Sequence, residues 1–581
     1  MVSLLWVQTQ HYTMRVFYRA LYLSLLLLLS CSRLWATHFY GVDLLYTHLG
    51  GNLYRISFVA FGDCSGTQFP SFPNAGPEIQ VFNGNTIYKE ITLSVEPPVD
   101  GVEVTPVCPN ERNNTTCVNP AGTIPGVKRF IYSATIELTP SANWRFVFSA
   151  IMGNNTIAGR SNSLTNVNPV GSIGLEATLN NADEPNSSPV YTTIATPFYC
   201  INKPVNFNPG AVDPDGDSLL YELVPGIDVS VPVTYNGGYS PTEPLAVFFG
   251  SQKFNSSTGQ LSFLPNILQR SLVVYRVSEY RKGKLVGTSM REMTFVIMNC
   301  NNNPPVGFIT DAVGAKIIDG ISVGTCEGSD LVQFNINPVD DDAEGITMEV
   351  NGLPQGATLT INNNGSVNTT SIFKWNTTNI KQGSYTFFIT YTDNSCPIVS
   401  KQTQAYTIHV IPLYIGVEVS AAICSDLGRL KVYLAGPEEW DTELWHDGTL
   451  LSKRTLTSFT DSLKSGKYSI NAVNSFGCAV DTAVEVPLIC DVADVPTAFT
   501  PNGDGKNDIL LVRAGPHIKQ ISFRVYNRWG MLVFETTDIN KGWDGKVNGQ
   551  EQAMETYGYV LSVVFATEVI VQKQGNITLI R

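Results

Sequence analysis

The chain has 581 residues, a formal net charge of −13 and an isoelectric point near 5.0. An acidic chain without a basic patch of interleaved aromatic residues is a poor nucleic-acid binder, so no nucleic-acid partner is expected. Only 15% of the residues are charged, whereas Gly (48) and Pro (33) are plentiful. Short runs rich in Val, Ile, Thr, Tyr and Phe alternate with turn residues, which predicts an all-β chain of tandem β-sandwich modules.

The N-terminal segment has the three parts of a secretory signal peptide. Arg15 and Arg19 form a basic region, Leu21–Leu29 an apolar region, and Ala36 is the small residue before the cleavage site. We therefore predict a signal peptide over residues 1–36, and a start at Met14 would place both arginines close to the N-terminus. The apolar run is too short to span a bilayer, and no other segment could span one.

Cys31 gives this segment a second interpretation. Leu28–Cys31 is a loose lipobox, in which Cys31 would be lipidated and retained. The ordinary cleavage after Ala36 is the expectation, and lipidation stays an alternative.

Ten cysteines remain once the signal peptide is removed: Cys64, Cys108, Cys117, Cys200, Cys300, Cys326, Cys396, Cys424, Cys478 and Cys490. Their even number fits an oxidising compartment, and the lack of a C-x-x-C pair argues against a zinc site. We predict the bridges Cys200–Cys300, Cys326–Cys396, Cys424–Cys478 and Cys108–Cys117. This scheme leaves Cys64 and Cys490 over, and sequence alone does not fix the connectivity.

Two β modules are predicted at residues 37–188 and 189–303. The first has a Leu-x-Tyr strand within Thr37–Tyr46 and an Asp-Cys-x-Gly turn within Tyr54–Gly66. These motifs resemble the N-terminal module of large surface proteins from gliding bacteria, and the resemblance continues through the second module. It implies a surface protein. We expect His38 to be a strand-end residue rather than a metal ligand.

The second module contains Asp213-Pro-Asp-Gly-Asp217, followed by an alternating apolar strand. This pattern looks like the calcium-binding edge of cadherin-like domains. Carboxylates at i, i+2 and i+4 around a Gly turn can direct hard oxygen ligands at one Ca²⁺, so Asp213, Asp215 and Asp217 are candidate ligands. Asp and Gly also build such turns without a metal, and that alternative stays open.

Two further modules are predicted at residues 304–413 and 414–490. The closing strand patterns Gly383–Asp393 and Gly466–Cys478 resemble those of Ig-like and cadherin-like repeats in bacterial surface proteins. The resemblance implies β-sandwich folds for both modules.

The last module, residues 491–581, contains three distinctive motifs, Phe499–Asp508, Phe523–Gly530 and Gly542–Gly545. In their residues and in their order along the chain they resemble the gliding-motility-associated C-terminal domain, the type B sorting domain of the type IX secretion system. The resemblance implies that the type IX secretion machinery recognises this domain during export across the outer membrane. Glu555 stands where the family usually has Gly, a departure that affects one turn.

The residues of this module also support a small β domain independently. Ile521, Phe523 and Val525 alternate with polar residues, as in a half-buried strand. A turn signal follows at residues 527–530. Trp529 and Trp543 are both expected in the core of the domain.

The loop Asn502–Asp508 carries oxygen side chains around two glycines. Asn502, Asp504 and Asp508 could wrap a calcium ion in the manner of the first half of a calcium loop. No Glu stands where such a loop would supply its bidentate ligand, so the site would be partial. The alternative, which we prefer, is a turn in which Asn502 and Asp504 hydrogen-bond nearby backbone N–H groups.

No catalytic motif was found, neither Gly-x-Ser-x-Gly nor His-Glu-x-x-His nor a phosphate-binding loop, so no enzyme is expected. The chain is predicted to be a secreted or cell-surface protein with a structural or adhesive role, exported through its C-terminal domain, with an unknown protein or polysaccharide ligand. The alternative is a carbohydrate-binding protein or a diverged extracellular hydrolase with the same export domain. A deep pocket with titratable residues would favour the hydrolase.

Overall fold

The computed structural model describes residues 38–64, 76–149, 151–152, 155–156, 159–160, 163–168, 172–195, 197–228, 230–342, 345–423, 427–436, 439–489 and 491–581. The predicted signal peptide, Cys31, Cys424 and Cys490 lie outside these residues. Apart from a six-residue 3₁₀ helix, Pro109–Asn114, the elements of the described residues are strands. The predicted all-β class is confirmed.

The chain divides into two compact units. The first comprises the residues up to Val323 together with residues 330–377 and 384–409, and the second comprises residues 324–329, 378–383 and 410–581. The first unit therefore contains most of the first three predicted modules, and the second contains the last two.

The strands of the first module are β1 (His38–Gly50), β2 (Leu53–Asp63), β3 (Glu78–Asn83), β4 (Thr86–Thr92), β5 (Ser94–Val95), β6 (Val102–Glu103), β7 (Val127–Glu137), β8 (Trp144–Ser149), β9 (Ile151–Met152), β10 (Asn155–Thr156), β11 (Gly159–Arg160) and β12 (Gly174–Leu179). The strands of the second are β13 (Val190–Tyr191), β14 (Phe198–Cys200), β15 (Val205–Phe207), β16 (Ala211–Val212), β17 (Ser218–Leu223), β18 (Ile227–Asp228), β19 (Val231–Pro232), β20 (Lys253–Phe254), β21 (Leu261–Phe263), β22 (Gln269–Arg281) and β23 (Lys284–Met298).

One sheet joins these two modules. Its main path runs β4-β3-β8-β12-β23-β1-β2-β7-β5. Strand β23 of the second module pairs antiparallel with β1 and with β12 of the first. Backbone hydrogen bonds therefore connect the residues on either side of the predicted boundary at 188/189.

The long hairpin β22–β23 lies between two hydrophobic cores. Leu272 and Val274 pack into one core, whereas Val273 and Tyr275 pack into the other. Both faces of β22 are buried at residues 272–275, so this part of its sequence is a continuous apolar run rather than an alternation.

The third module is a sandwich of two sheets, β24-β27-β30-β29 and β25-β26-β32-β31-β28. Phe334 and Phe373 of one sheet stack at 4.5 Å between ring centres, and Phe373 stacks on Phe387 of the other at 5.2 Å. The strands are β24 (Val306–Val313), β25 (Lys316–Asp319), β26 (Ser322–Cys326), β27 (Leu331–Val339), β28 (Thr347–Asn351), β29 (Thr358–Asn362), β30 (Thr370–Asn376), β31 (Gly383–Thr392) and β32 (Lys401–Ile411).

The fourth module has the sheets β33-β35-β38 and β37-β36-β39-β40 with the short pair β34-β41. Leu430, Val432, Leu444 and Ile470 lie in its core. The strands are β33 (Ile415–Ser420), β34 (Ala422–Ile423), β35 (Gly428–Leu434), β36 (Trp440–His446), β37 (Thr449–Leu456), β38 (Ser458–Leu463), β39 (Gly466–Asn474), β40 (Ala479–Val486) and β41 (Leu488–Ile489).

The C-terminal domain is built on a five-stranded sheet of order β43-β50-β49-β45-β46. Ile521, Phe523 and Val525 are buried, which confirms the alternation predicted for β45. The strands are β42 (Ala493–Asp494), β43 (Ala498–Phe499), β44 (Arg513–Ala514), β45 (Ile518–Tyr526), β46 (Leu532–Thr536), β47 (Lys546–Val547), β48 (Gln550–Glu551), β49 (Thr556–Phe565) and β50 (Ile570–Leu579).

Four disulfides occur among the described residues: Cys64–Cys117, Cys108–Cys396, Cys200–Cys300 and Cys326–Cys478. Only the prediction of Cys200–Cys300 is confirmed. The Cys108–Cys117 prediction is wrong because the 3₁₀ helix Pro109–Asn114 separates the two residues, and Cys117 instead meets the end of β2. The predicted Cys326–Cys396 and Cys424–Cys478 bridges are wrong because Cys396 and Cys478 have these other partners.

The bridge Cys108–Cys396 joins the first and third modules. Backbone hydrogen bonds flank it, from Cys108 N–H to the Pro397 carbonyl at 3.2 Å and from Val399 N–H to the Pro106 carbonyl at 3.0 Å. The first unit is thus closed covalently across 288 residues of sequence.

Candidate functional site: two acidic loops and the C-terminal domain

The acidic loop of the second module, residues 213–217, connects β16 to β17. The Asp213 carboxylate accepts the backbone N–H groups of Asp215 and Asp217, both at 2.9 Å. Gly216 has φ +81°, a conformation that favours glycine. Asp213 therefore shapes the turn itself, as expected of an Asp in an Asx turn.

The structure brings the three predicted ligands together. One carboxylate oxygen each from Asp213, Asp215 and Asp217 lies within 4.8 Å of the others. Asp213 is half-buried, and burial raises the pKa of its carboxyl to about 6, with the nearby Asp217 and Asp215 charges adding to the rise. Such a group of carboxylates needs a compensating positive charge.

Arg281, at the end of β22, supplies that charge. Its guanidinium makes two parallel hydrogen bonds to the Asp217 carboxylate, at 2.8 and 2.7 Å, and lies 3.8 Å from Asp215. Asp217 raises the pKa of Arg281 above its already high ordinary value. A bidentate pair of this kind fixes geometry as well as charge.

Glu279 lies beneath the loop and was not singled out from the sequence. It is fully buried and accepts hydrogen bonds from the Asn186 side-chain amide and from the Tyr46 hydroxyl, the latter at 3.4 Å. Burial, followed by the nearby charges of Asp213 and Asp217, raises its pKa to about 9, although the Asn186 hydrogen bond opposes the shift. Glu279 is therefore protonated and neutral at pH 7. The only sequence signal was its position two residues before Arg281, on the same face of β22.

The surface above this cluster is an open depression. Its lining includes Glu184, Asp215 and Asp217 on the acidic side and Arg281 and Lys282 on the basic side. The mixed charges largely compensate one another, and the depression, about 570 Å³ in volume, is wide open to solvent rather than enclosed.

The second predicted calcium site, the loop Asn502–Asp508, uses its oxygens differently. Asp508 accepts the backbone N–H groups of Gly503 and Gly505, each at 2.7 Å. Asn502 accepts from Asp504 N–H at 3.1 Å, and Asp504 accepts from Lys506 N–H at 2.8 Å. The side-chain oxygens thus stabilise the loop's own backbone, in the arrangement that the turn alternative predicts.

The two tryptophans of the C-terminal domain have opposite environments. Trp543 is 1% exposed, contacts the Tyr557 ring and donates from its indole N–H to the Lys546 carbonyl at 3.0 Å, so its predicted core position is confirmed. Trp529 is 74% exposed, and the prediction that it lies in the core is wrong. It stands at the tip of the β45–β46 hairpin, between the two strands, where the chain reverses.

Glu555, the departure from the family pattern, forms an ion pair at this same end of the sheet. Its carboxylate lies 3.5 Å from Nε of Arg528, the neighbour of Trp529. Glu in place of the family's Gly therefore adds an ion pair next to the start of β49.

In the part of the chain that the structure describes, no helix has the length and apolar character needed to cross a bilayer. His38 is at the start of β1, at the strand end where the sequence placed it.

Three solved structures resemble parts of the chain weakly. A three-Ig fragment of titin, domains I67–I69 in an E-to-A variant, is 10% identical with a TM-score of 0.21, over 52% of this chain and 98% of that one. The ICAM-5 D1–D4 ectodomain is 8% identical with a TM-score of 0.27, over 48% and 77%. The BSP domain of a biofilm-associated protein is 9% identical with a TM-score of 0.18, over 70% and 92%. TM-scores of this size do not establish that the domains are arranged in the same way.

Sequence comparison is decisive only for the C-terminal domain. No curated protein matches the chain. Residues 493–579, however, match the family model described as the CHU_C Type IX secretion signal domain. The match spans β42 to β50 and includes the hairpin, the Asn502–Asp508 loop and Trp543. The chain therefore carries a type IX secretion signal domain at its C-terminus, which indicates export by the type IX secretion system.

Proposed function

We propose that this chain is a secreted or cell-surface protein whose β modules have a structural or adhesive role after export. The match of residues 493–579 to a type IX secretion signal domain carries the proposal. The disulfides and the continuous sheets of the first unit support it, because such bridges persist in oxidising, extracytoplasmic surroundings. The type IX secretion machinery is then the partner during export, and a surface protein or polysaccharide is the ligand afterwards.

The proposed role is not enzymatic. A cavity lined by Phe198, Tyr199 and Asn302 has a volume of about 10 Å³, room for roughly one water molecule. The buried carboxyl of Glu279 is held by Asn186 and Tyr46 and does not reach the open depression above it. The carboxylates of Glu184, Asp215 and Asp217 do line the depression, but it is open to solvent, whereas a hydrolase would need an enclosing pocket around such groups.

Attachment of the producing bacterium to surfaces tests this role. Three strains are compared: one with the full chain, one with a chain that lacks residues 491–581, and one without the gene. We expect attachment to fall in the second and third strains equally, because an unexported chain cannot act at the surface. Attachment that is the same in all three strains would contradict an adhesive role, and loss of polysaccharide hydrolysis instead would favour the enzymatic alternative.

We also infer that the acidic loop at residues 213–217 needs no calcium. Ca²⁺ takes six to eight oxygen ligands, whereas both oxygens of Asp217 bind Arg281 and one of Asp213 binds the backbone. Arg281 thus occupies the position of a balancing cation. We expect calcium to leave the melting temperature of the wild type unchanged and to raise that of Arg281→Gln, in which the carboxylates lose their partner. A rise in the wild type that Asp215→Asn abolishes would contradict this inference.

A further inference from the structure

The exposed indole of Trp529 needs a reason, because aromatic side chains of this size usually bury most of their surface. We propose that the hairpin tip Arg528–Leu532 is a surface by which the type IX secretion machinery holds the C-terminal domain. In this proposal Trp529 enters an apolar pocket of a protein component of that machinery, and Arg528 pairs with a carboxylate at the pocket's rim. The proposal rests on the sorting role of residues 493–579.

The tip is preformed by its own hydrogen bonds. The Asn527 side chain accepts the backbone N–H groups of Trp529 and Met531, both at 3.0 Å, and Asn527 N–H donates to the Met531 carbonyl at 2.9 Å. Gly530 takes the positive φ of +76° that closes the turn. A tip whose backbone is held in this way loses less conformational entropy on binding, because only its side chains remain to be ordered.

Apolar side chains continue the surface around Trp529. Met531 is 60% exposed and Leu532 48% exposed. Met554, which precedes Glu555 in the chain, is 65% exposed, and Glu555 is the ion-pair partner of Arg528. Trp, Met and Arg are residue types enriched where proteins bind one another, and Trp and Arg are the commonest energetic anchors.

The charge of the tip indicates the chemistry of the partner. The Arg528 guanidinium lies over the Trp529 ring at 5.0 Å, and its side chain is 66% exposed. Its contact with the Glu555 carboxylate is through Nε at 3.5 Å, and within residues 491–581 its side chain donates no hydrogen bond, so the terminal NH2 groups of the guanidinium are available to a ligand. Glu555 is only 23% exposed, so the surface offered to a partner is an indole with a cation. An apolar pocket with an acidic rim is complementary to it.

Export of full-length variants from the producing bacterium tests the proposal. Trp529→Ala and Arg528→Glu should each lower the amount outside the cell by about tenfold, the effect of losing one binding anchor, while Trp529→Phe retains most of it. The matched control is Ile570→Ala. Ile570 is 59% exposed on the same sheet but pairs with Val564, at the end away from the hairpin, and its replacement should leave export unchanged.

Thermal melting of each purified variant separates recognition from folding. Because both side chains are exposed, we expect melting temperatures close to that of the wild type, with Arg528→Glu slightly lower because it places a second carboxylate beside Glu555. Wild-type export of Trp529→Ala would overturn the proposal, and so would wild-type export of Arg528→Glu if Trp529→Ala proves unstable. Either result leaves the sorting role intact as long as deletion of residues 491–581 still blocks export, so the two claims fail separately.

Discussion

The first unit and the C-terminal domain are stabilised by different means. The first unit contains three disulfides and buries whole ion pairs, such as Arg291–Asp43 at 3.0 Å and Arg160–Glu292 at 2.6 Å. Residues 491–581 contain no cysteine, and ion pairs such as Arg524–Glu535 lie at the surface. Covalent bridges and buried ion pairs thus stabilise the first unit. The C-terminal domain depends on one small apolar core, and Trp529 lies outside it. Such a contrast suits a first unit that must stay folded and a C-terminal domain that must be recognised during export.

The buried ion pair Arg291–Asp43 should give the largest effect. Replacing Arg291 by Met leaves the Asp43 carboxyl, whose pKa burial already raises to about 6, without its partner. We expect the free energy of unfolding of the first unit to fall by about 3–5 kcal/mol. The matched change in the C-terminal domain, Arg524→Met, removes an exposed, solvent-screened pair and should lower the stability far less. Denaturation of the two variants measures both losses of stability. Equal losses would contradict the claim that buried ion pairs stabilise the first unit more than surface pairs stabilise the C-terminal domain.

The disulfides should give the next largest effect. Replacing Cys108 and Cys396 together by Ser should lower the stability of the first unit by about 2–4 kcal/mol, because the unfolded chain loses a constraint. The unfolding transition of the C-terminal domain should not move. Reducing agent should lower thermal stability more than EDTA does. Peptide mapping without reduction checks the pairing, and a map that lacks the Cys108–Cys396 peptide pair would refute the covalent closure of the first unit.

Glu279 should make the stability of the first unit depend on pH. Its pKa is raised from 4.5 to about 9 in the folded chain, so its contribution is complete below about pH 4.5 and is lost as the pH rises towards 9. Between pH 7 and 9, above the raised pKa of Asp213, the slope from Glu279 is at most about 1.4 kcal/mol per pH unit. Glu279→Gln should flatten the plot of melting temperature against pH in this window. Parallel pH profiles for wild type and variant would show that Glu279 is not neutral in the fold.

The sequence predicted those features that follow from local pattern. The alternation of Ile521, Phe523 and Val525 predicted β45, and turn residues placed the hairpin after it. The pattern did not show that Trp529 lies outside the core, because an aromatic residue at a turn has the same sequence signal whether its side chain folds inward or outward. The exposure depends on the tip geometry that Asn527 imposes.

Features that depend on distant parts of the chain were beyond the sequence. The pairing of β23 with β1 and β12 joins residues more than a hundred positions apart, and the partner of Cys108 is 288 residues away. The acidic loop was found from Asp213, Asp215 and Asp217, but Arg281 and Glu279 come to it through the long β22 strand. Sequence proximity therefore identified the three carboxylates. It missed Arg281, which pairs with Asp217, and Glu279, which lies beneath the loop.

The sorting role of the C-terminal domain is tested most directly by locating the mature protein with and without residues 491–581. Fractions of periplasm, outer membrane and medium are probed for the same N-terminal epitope in both strains. We predict that the full chain lies at the cell surface or in the medium and that the truncated chain is retained in the periplasm, folded and with its disulfides formed. Surface or medium levels of the truncated chain equal to those of the full chain would contradict the account.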